Sequence, residues 1–429
     1  MTSSDIENMK DPDMINENKY AGLKSSDGYA ALDSPCYLIR EADLDYDIKL
    51  LKDSLYDNWC DNFATAYSVK TNSLPWLLKN LKSKGFHAEI VSKDEYDLVH
   101  KLGFKDSGII YNGPIKDHAL FDRILTSGGI VNMDSHEEIG WLRKLCESNS
   151  DRTFSIGIRV NVDISSLCPD EKLAAKDGGR FGYCYENGVL ADTISQIRQI
   201  KGAQIAGLHL HSSTQSRTVN VFAALAEMAV RIAKENDLDL SYVDMGGGYF
   251  GGRDDMPSYP DYFKGICERL KTFFDPAKVT LIAEPGVSLI SRATKFMTKV
   301  LDYKDIRGIR YLVTDGSRLN LNPQVTRHEY PHHIDYRPDI PTSQREPVPC
   351  QWVCGFSCME YDRLFELRNA PVLMPGDRII YDLAGGYTMC LTPLFIRYLP
   401  AVYAELTDGT LFKARDEWGL EEFLQKNHY

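Results

Sequence analysis

Residues 63–102 read FATAYSVKTNSLPWLLKNLKSKGFHAEIVSKDEYDLVHKL. The run 64–69 is short, apolar and β-prone, and 73–84 then carries Leu74, Leu77, Leu78 and Leu81 at the spacing of an amphipathic helix. Residues 89–92 followed by 93–102 repeat the unit. Working outward, further β runs at 108–111, 129–133, 155–162, 204–211, 241–244 and 279–283 alternate with helical stretches. Eight such units at this spacing predict a (β/α)8 TIM barrel rather than an open sheet, and so an α/β fold.

The flanks differ from this core. Residues 1–33 are polar, charged and aperiodic, and read as an N-terminal extension. Residues 34–60 hold one strand and one helix expected to join a β domain, and the barrel occupies 61–298. From 299 to 429 the texture changes to strands and turns, with β runs at 297–303, 310–314, 348–353, 378–382 and 398–406, which predicts a C-terminal β-sandwich or β-barrel domain. Within it, 320–345 is rich in Pro, His and Arg and reads as a long functional loop.

Bulk properties narrow the function. A chain of 429 residues, 43% hydrophobic and 26% charged, is an ordinary globular protein able to bury a large core. Its net charge of −12 argues against a nucleic-acid partner, which wants clustered Lys and Arg. Ten scattered cysteines without paired CxxC spacing read as reduced thiols. No apolar run reaches transmembrane length and residues 1–7 are polar and acidic, so a cytoplasmic protein with no membrane partner is expected.

Several predicted strands end in reactive groups, where a barrel keeps its active site. Lys70 follows the run 64–69, a position suited either to a solvated gatekeeper or to a desolvated amine that bonds a carbonyl cofactor. His209 and His211 stand two apart on one strand face. With no third ligand at suitable spacing, no metal is expected, and a histidine stacked on an aromatic cofactor fits better. Gly246, Gly247 and Gly248 close a strand with backbone N–H groups available to a phosphate, or else form a plain tight turn. Glu284, before Pro285 and Gly286, is a carboxylate ending an apolar strand; it is either a turn residue or a partner for a pyridine nitrogen.

Taken in order, these segments resemble the fold-type III pyridoxal-phosphate decarboxylases, the diaminopimelate, ornithine, lysine and arginine decarboxylases of the alanine-racemase-like fold, over roughly residues 34–410. The resemblance implies pyridoxal 5'-phosphate as cofactor and Lys70 as its Schiff-base lysine. It implies His211 stacked on the ring, Thr214 at the phosphate, Gly246–Gly248 with Gly286 around it, and Glu284 at the pyridine nitrogen. The segment 89–95 resembles the family's Asp-Val-Val-Ser-x-Gly-Glu, with Glu89 for the Asp and Asp94 for the Gly. Residues 355–362 resemble Gly-x-x-Cys-(Asp/Glu)-x-x-Asp, making Cys358 the proton donor, and 385–388 resemble Gly-Ala-Tyr-Thr, making Tyr387 a cofactor contact. The family's head-to-tail homodimers imply an active site at the subunit interface.

The same resemblance implies removal of the α-carboxylate of a small-molecule amino acid. An amino-acid racemase on this fold is the alternative, and Glu284 and Cys358 speak for decarboxylation. A non-catalytic cofactor carrier is a further alternative, against which the β domain's own motifs speak. The distal pocket departs from the family. Met359 stands where an acid follows the cysteine, Val287 stands where diaminopimelate-type enzymes carry an arginine after Glu-Pro-Gly, and their Arg-Pro-x-x-Tyr segment is not recognisable near Ser317-Arg318. Met359, Asp362, Arg318 and Arg327 are therefore candidates for the substrate's distal end. An amino acid carried on a larger carboxylated conjugate fits this pattern, with diaminopimelate itself as the alternative substrate.

Overall fold

The computed structural model describes residues 29, 32–171, 179–212, 217–327 and 330–428. After β1 (Cys36–Arg40) come β2 (Phe63–Ser68), β3 (His87–Ile90), β4 (Ile109–Tyr111), β5 (Ile130–Met133), β6 (Phe154–Asn161), the two-residue β7 (Tyr183–Cys184), β8 (Ala203–His209), β9 (Tyr242–Asp244) and β10 (Thr280–Ala283). Hydrogen bonding runs in the order β5-β4-β3-β2-β10-β9-β8-β6 and closes from β6 back to β5. Each of these pairings is parallel, and β7 adds to the outside of β6. The predicted barrel is thus closed, with a helix between each two successive strands of the closed ring.

Helix starts follow local chemistry. Ser92 Oγ accepts Glu95 N at 3.2 Å to cap Lys93–Lys101, and Ser258 with Asp261 forms a capping box on Tyr259–Leu270. Inside the barrel, Ala66, Ile110, Ala206, Tyr242 and Ile282 pack one apolar layer. Tyr242 fits because two neighbouring strands carry no side chain beside it. A Cβ on Gly207 would lie 2.1 Å from its ring, and one on Gly157 would lie 2.1 Å from its hydroxyl.

A second sheet contains β11 (Thr294–Ile306), β12 (Ile309–Thr314), β13 (His332–Asp335), β14 (Pro347–Cys354), β15 (Arg363–Pro371), β16 (Arg378–Tyr381), β17 (Ala401–Glu405) and β18 (Leu411–Arg415). Its order is β15-β14-β12-β11-β1-β17-β18, with β16 beside β11 and β13 beside β16. β1 lies in its middle, antiparallel to β11 with Cys36 opposite Met297, and parallel to β17 with Cys36 opposite Ala401. Cys36-Tyr37-Leu38-Ile39 is fully buried, as expected of a strand covered on both faces. The stretch read as a loop, 320–345, instead contains β13, paired antiparallel with β16. Its alternately half-buried and exposed residues carry no apolar period, which hid the strand. β15 was hidden likewise by Arg363, Glu366 and Arg368. Among the described residues no helix is long and apolar enough to cross a membrane.

Candidate active site

The strand ends β2, β3, β8 and β10 open on a cavity of about 440 Å³, within the usual range for a small-molecule site. Its wall includes Lys70, Glu89, His211, Gly247, Glu284 and Tyr387. β2 ends at Ser68, and one 3₁₀ turn, Val69–Thr71, lifts Lys70 over the strand end. The Lys70 amine donates to Ser68 Oγ at 2.8 Å and to the Glu89 carboxylate. Its side chain is 39% exposed, opening to the cavity, whereas Glu89 is 1% exposed beneath it. Burial works against the charged amine, but Glu89 and then Glu284 outweigh it and hold Lys70 protonated above its ordinary range.

Under the cavity lies a chain of amides and acids. Asn112 Nδ2 donates to Glu284 Oε1 at 2.7 Å and to Glu89 Oε1 at 3.2 Å, so one amide joins both carboxylates. Asn132 Nδ2 donates in turn to Asn112 Oδ1 at 2.9 Å and to Asp244 Oδ2 at 3.2 Å, while Tyr242 OH donates to Asn132 Oδ1. Burial, reinforced by the charge of Glu284, pushes the Asp244 carboxyl far up. Burial also opposes the Glu284 charge, but His209, Asp244 and Lys70 hold it well below the usual carboxylate range. One acid is neutral and its neighbour ionised, the division expected of two buried carboxyls side by side.

His209 Nε2 is 3.5 Å from Glu284 Oε2, an ion-pair distance, and neither ring nitrogen of His209 has a hydrogen-bond partner among the described residues. Burial, aided by Arg159 and His209, lowers His211 to about 3, so its ring is neutral. Its Nδ1 accepts Gly247 N at 3.3 Å. The expected lack of a third metal ligand does not hold in the fold. Folding does supply further ligands, since His209, Asp244 and Glu284 bring ligand atoms within 4.8 Å of one another. The bond from Asn112 to Glu284, and the charge by which Glu284 helps keep Lys70 protonated, put that carboxylate to another use.

The glycines are required by close approach. A Cβ on Gly247 would lie 2.1 Å from Glu284 O, and one on Gly286 would lie 2.2 Å from Thr71 Oγ1. Gly246 and Gly248 have φ of +60° and +97°. Tyr387, also left-handed at φ +55°, donates its N–H to Thr71 O at 3.0 Å and faces the cavity. Thr214 lies outside the described residues.

Other named residues lie elsewhere. Cys358 is exposed and, with Met359, is not part of the cavity wall of its own chain. The Asp362 carboxylate accepts Ser317 Oγ and Arg318 N, each at 2.9 Å, and Ser357 N at 3.1 Å, so it shapes the loop carrying Cys358. Arg318 donates to Tyr361 O and Arg327 to Leu383 O, both at 2.8 Å and both outside the wall. Sequence reasoning missed Asn112 and Arg159, which do line the cavity. Asn112 directly follows β4, and a search for polar residues just past barrel strands would have found it.

This set fits pyridoxal phosphate on its own terms. It offers an amine for a carbonyl, an ionised carboxylate, a neutral imidazole and a glycine turn too close-packed to accept a Cβ. The family model "Pyridoxal-dependent decarboxylase, pyridoxal binding domain" matches residues 50–291, more than half of the chain. The chain belongs to this family. It is a pyridoxal-phosphate-dependent amino-acid decarboxylase, as the order of its motifs implied.

The decarboxylase is 24% identical over 380 residues to a diaminopimelate decarboxylase of Archaeoglobus fulgidus, covering 85% of this chain and 86% of that one. It is 25% identical over 350 residues to an L-glutamyl-[BtrI acyl-carrier protein] decarboxylase of Niallia circulans, covering 76% and 78%. The crystal structure of diaminopimelate decarboxylase from Helicobacter pylori complexed with L-lysine superposes with a TM-score of 0.77 at 22% identity, over 93% of this chain and 98% of that one, so the two share a fold.

Proposed function

We propose that this decarboxylase removes the α-carboxylate of an amino acid carried on a larger, carboxylated molecule, in a site shared between two subunits. The observation that carries the substrate reading is the cavity wall itself. Val287 is apolar, while Arg159 and Arg180 flank Phe181 with their guanidinium carbons 4.7 and 4.3 Å from its ring centre. Such a wall suits an extended acidic tail better than a compact distal ammonium, which would go unpaired there at a cost of about 1–3 kcal/mol. The Niallia relative, named for a glutamyl group on a carrier protein, supports the same reading. Free diaminopimelate is the second reading, supported by the name of the Archaeoglobus relative.

Bound pyridoxal phosphate supplies an electron-withdrawing ring that takes up the electron pair released when the α-carboxylate leaves. The protein does the rest. Lys70, its amine set by Ser68 and Glu89, is the residue that would hold the cofactor covalently. Glu284, kept ionised by its neighbours and oriented by Asn112, would hold a proton at the ring nitrogen. His211, neutral in the fold, would lie against the ring, and Gly246–Gly248, Gly286 and Tyr387 would hold the phosphate end.

Cys358, reaching the site from the partner subunit, would return a proton to carbon. Support for the dimer comes from an apolar strip around it. Tyr361, Leu391, Leu394, Phe395 and Ile396 are exposed, and Arg397 lies 5.0 Å from the Phe356 ring, joining this strip to the Cys358 loop. Val325 and Ile396, β-branched and exposed, are held at φ +57° and +69°, a strain that a covering partner explains. The ten free thiols support a reducing compartment such as the cytoplasm. Release of CO₂ from a panel of lysine, ornithine, diaminopimelate and glutamyl conjugates tests the substrate. Conjugates turned over at least tenfold more efficiently are expected, and efficient use of free diaminopimelate overturns the reading.

A further inference from the structure

His209, the last residue of β8, takes no part in the steps above. It is 2% exposed, yet it belongs to the cavity wall together with Glu284. β8 runs between two strands that carry charge at the same level, with Arg159 opposite His209 on β6 and Asp244 opposite it on β9. Arg159 is paired with Asp134 at 3.5 Å, and Asp244 accepts Gly246 N at 2.9 Å and Asn132 Nδ2 at 3.2 Å. Neither nitrogen of His209 bonds to any of these groups. A buried imidazole N–H without an acceptor is costly, so a partner is expected in the working enzyme.

The floor of the cavity offers one. His209 Nε2 lies 3.5 Å from Glu284 Oε2, while Asn112 Nδ2 donates to the other oxygen, Oε1, at 2.7 Å. Asn112 follows β4 and His209 ends β8, and these strands lie on opposite sides of β10, which carries Glu284, in the closed ring. The carboxylate is therefore approached at both oxygens, from two directions. A contact of 3.5 Å is long for a hydrogen bond, and the bonds of catalytic groups commonly shorten when a site is loaded. Burial opposes the Glu284 charge, and of the neighbours that overcome it His209 acts most strongly.

We propose that His209 is a positioning residue that donates its Nε2–H to Glu284 Oε2, so that Asn112 and His209 together fix the carboxylate facing the cofactor ring. The proposal rests on Glu284 serving the ring nitrogen. A carboxylate held at both oxygens is an acceptor of fixed direction and weakened basicity, so the proton it faces stays on the ring nitrogen and does not pass to Glu284.

The test uses protein loaded with pyridoxal phosphate isotopically labelled at the ring nitrogen, whose magnetic resonance signal reports whether that nitrogen carries a proton. His209→Phe keeps a ring and removes the donor, and His209→Gln restores an N–H. His209→Phe is expected to lower turnover about 10- to 100-fold, the size of one lost charge-assisted bond, and to move the nitrogen signal toward its unprotonated position with cofactor affinity unchanged. His209→Gln is expected to recover most of both. Wild-type turnover and nitrogen signal in His209→Phe overturn the proposal. So does an equal loss of turnover in both variants with the nitrogen signal of the wild type, which is what a packing role produces. If His209→Phe does not fold, His209→Asn, polar but a methylene shorter than Gln, takes its place with the same outcomes. Glu284→Gln separates the two readings. A wild-type nitrogen signal in that variant refutes the role of Glu284 and this proposal with it, whereas a moved signal there and none in His209→Phe refutes this proposal alone.

Discussion

Glu284→Gln removes one charge from the cavity floor while keeping the size of the side chain. Asn112 Nδ2 at 2.7 Å continues to find an oxygen, and the new NH₂ turns toward His209 and Asp244 on the other side. A neutral amide costs less to bury than a carboxylate, so the fold survives. Two neighbours respond in a stated direction. Lys70 loses one of the two carboxylates that raise it, and Asp244 loses the charge that reinforces its burial, so both pKa values fall. What disappears is a fixed negative charge able to hold a proton at the ring nitrogen. Loss of one such preorganised interaction slows an enzyme about 10²- to 10³-fold, or about 2.7–4 kcal/mol of barrier. The measurement is CO₂ release at saturating cofactor, on variant protein whose circular dichroism and cofactor absorbance match the wild type. Wild-type turnover under those conditions refutes the role of Glu284.

Lys70→Ala is expected to abolish both turnover and the absorbance of lysine-bound cofactor, and a wild-type spectrum in that variant would sink the assignment. Gly247→Ala places a Cβ 2.1 Å from Glu284 O, a backbone atom that has no room to yield; a tenfold or greater loss of cofactor affinity in a folded protein is expected, and unchanged affinity counts against the glycine cradle. Cys358→Ala mixed with Lys70→Ala tests the shared site. Mixed dimers keep one intact site and regain activity, and no recovery while subunits demonstrably exchange rules it out. His211, held at about 3 in the fold against 6.5 ordinarily, is neutral when folded and protonated when unfolded between those values. Stability therefore falls as pH drops from about 6.5 toward about 3, and His211→Gln should flatten that limb in urea titrations; parallel limbs contradict the buried neutral imidazole.

The barrel was legible because each strand–helix unit declares itself within some twenty residues, as 63–102 does. Strand-end groups were legible for the same reason: Lys70, His211 and Glu284 follow runs that the period alone identifies. β13 was not, since half-buried His332 and exposed His333 are set by pairing with β16 and not by their own composition. Nor was the Asn112–Asn132–Asp244 chain, which depends on three strands meeting across the barrel. Asp362, Arg318 and Arg327 were read as substrate residues from charge in a motif; in the fold they contact Ser317, Tyr361 and Leu383, contacts that the motif does not announce.

The central place of β1 in the second sheet governs the order in which this protein is made. β1 leaves the ribosome early, but its partner β17 begins at Ala401, more than 350 residues later. During synthesis the barrel has every strand it needs once β10 is out, while Cys36–Arg40 waits with both edges unpaired until β11 and then β17 arrive. That wait exposes an apolar strand edge until residues more than 350 positions later are made, a hazard for sticky encounters between nascent chains. It also means the two units are not separable by cutting between them. A fragment beginning at residue 299 lacks the middle strand of its own sheet, and a barrel freed of its tail carries an orphaned one.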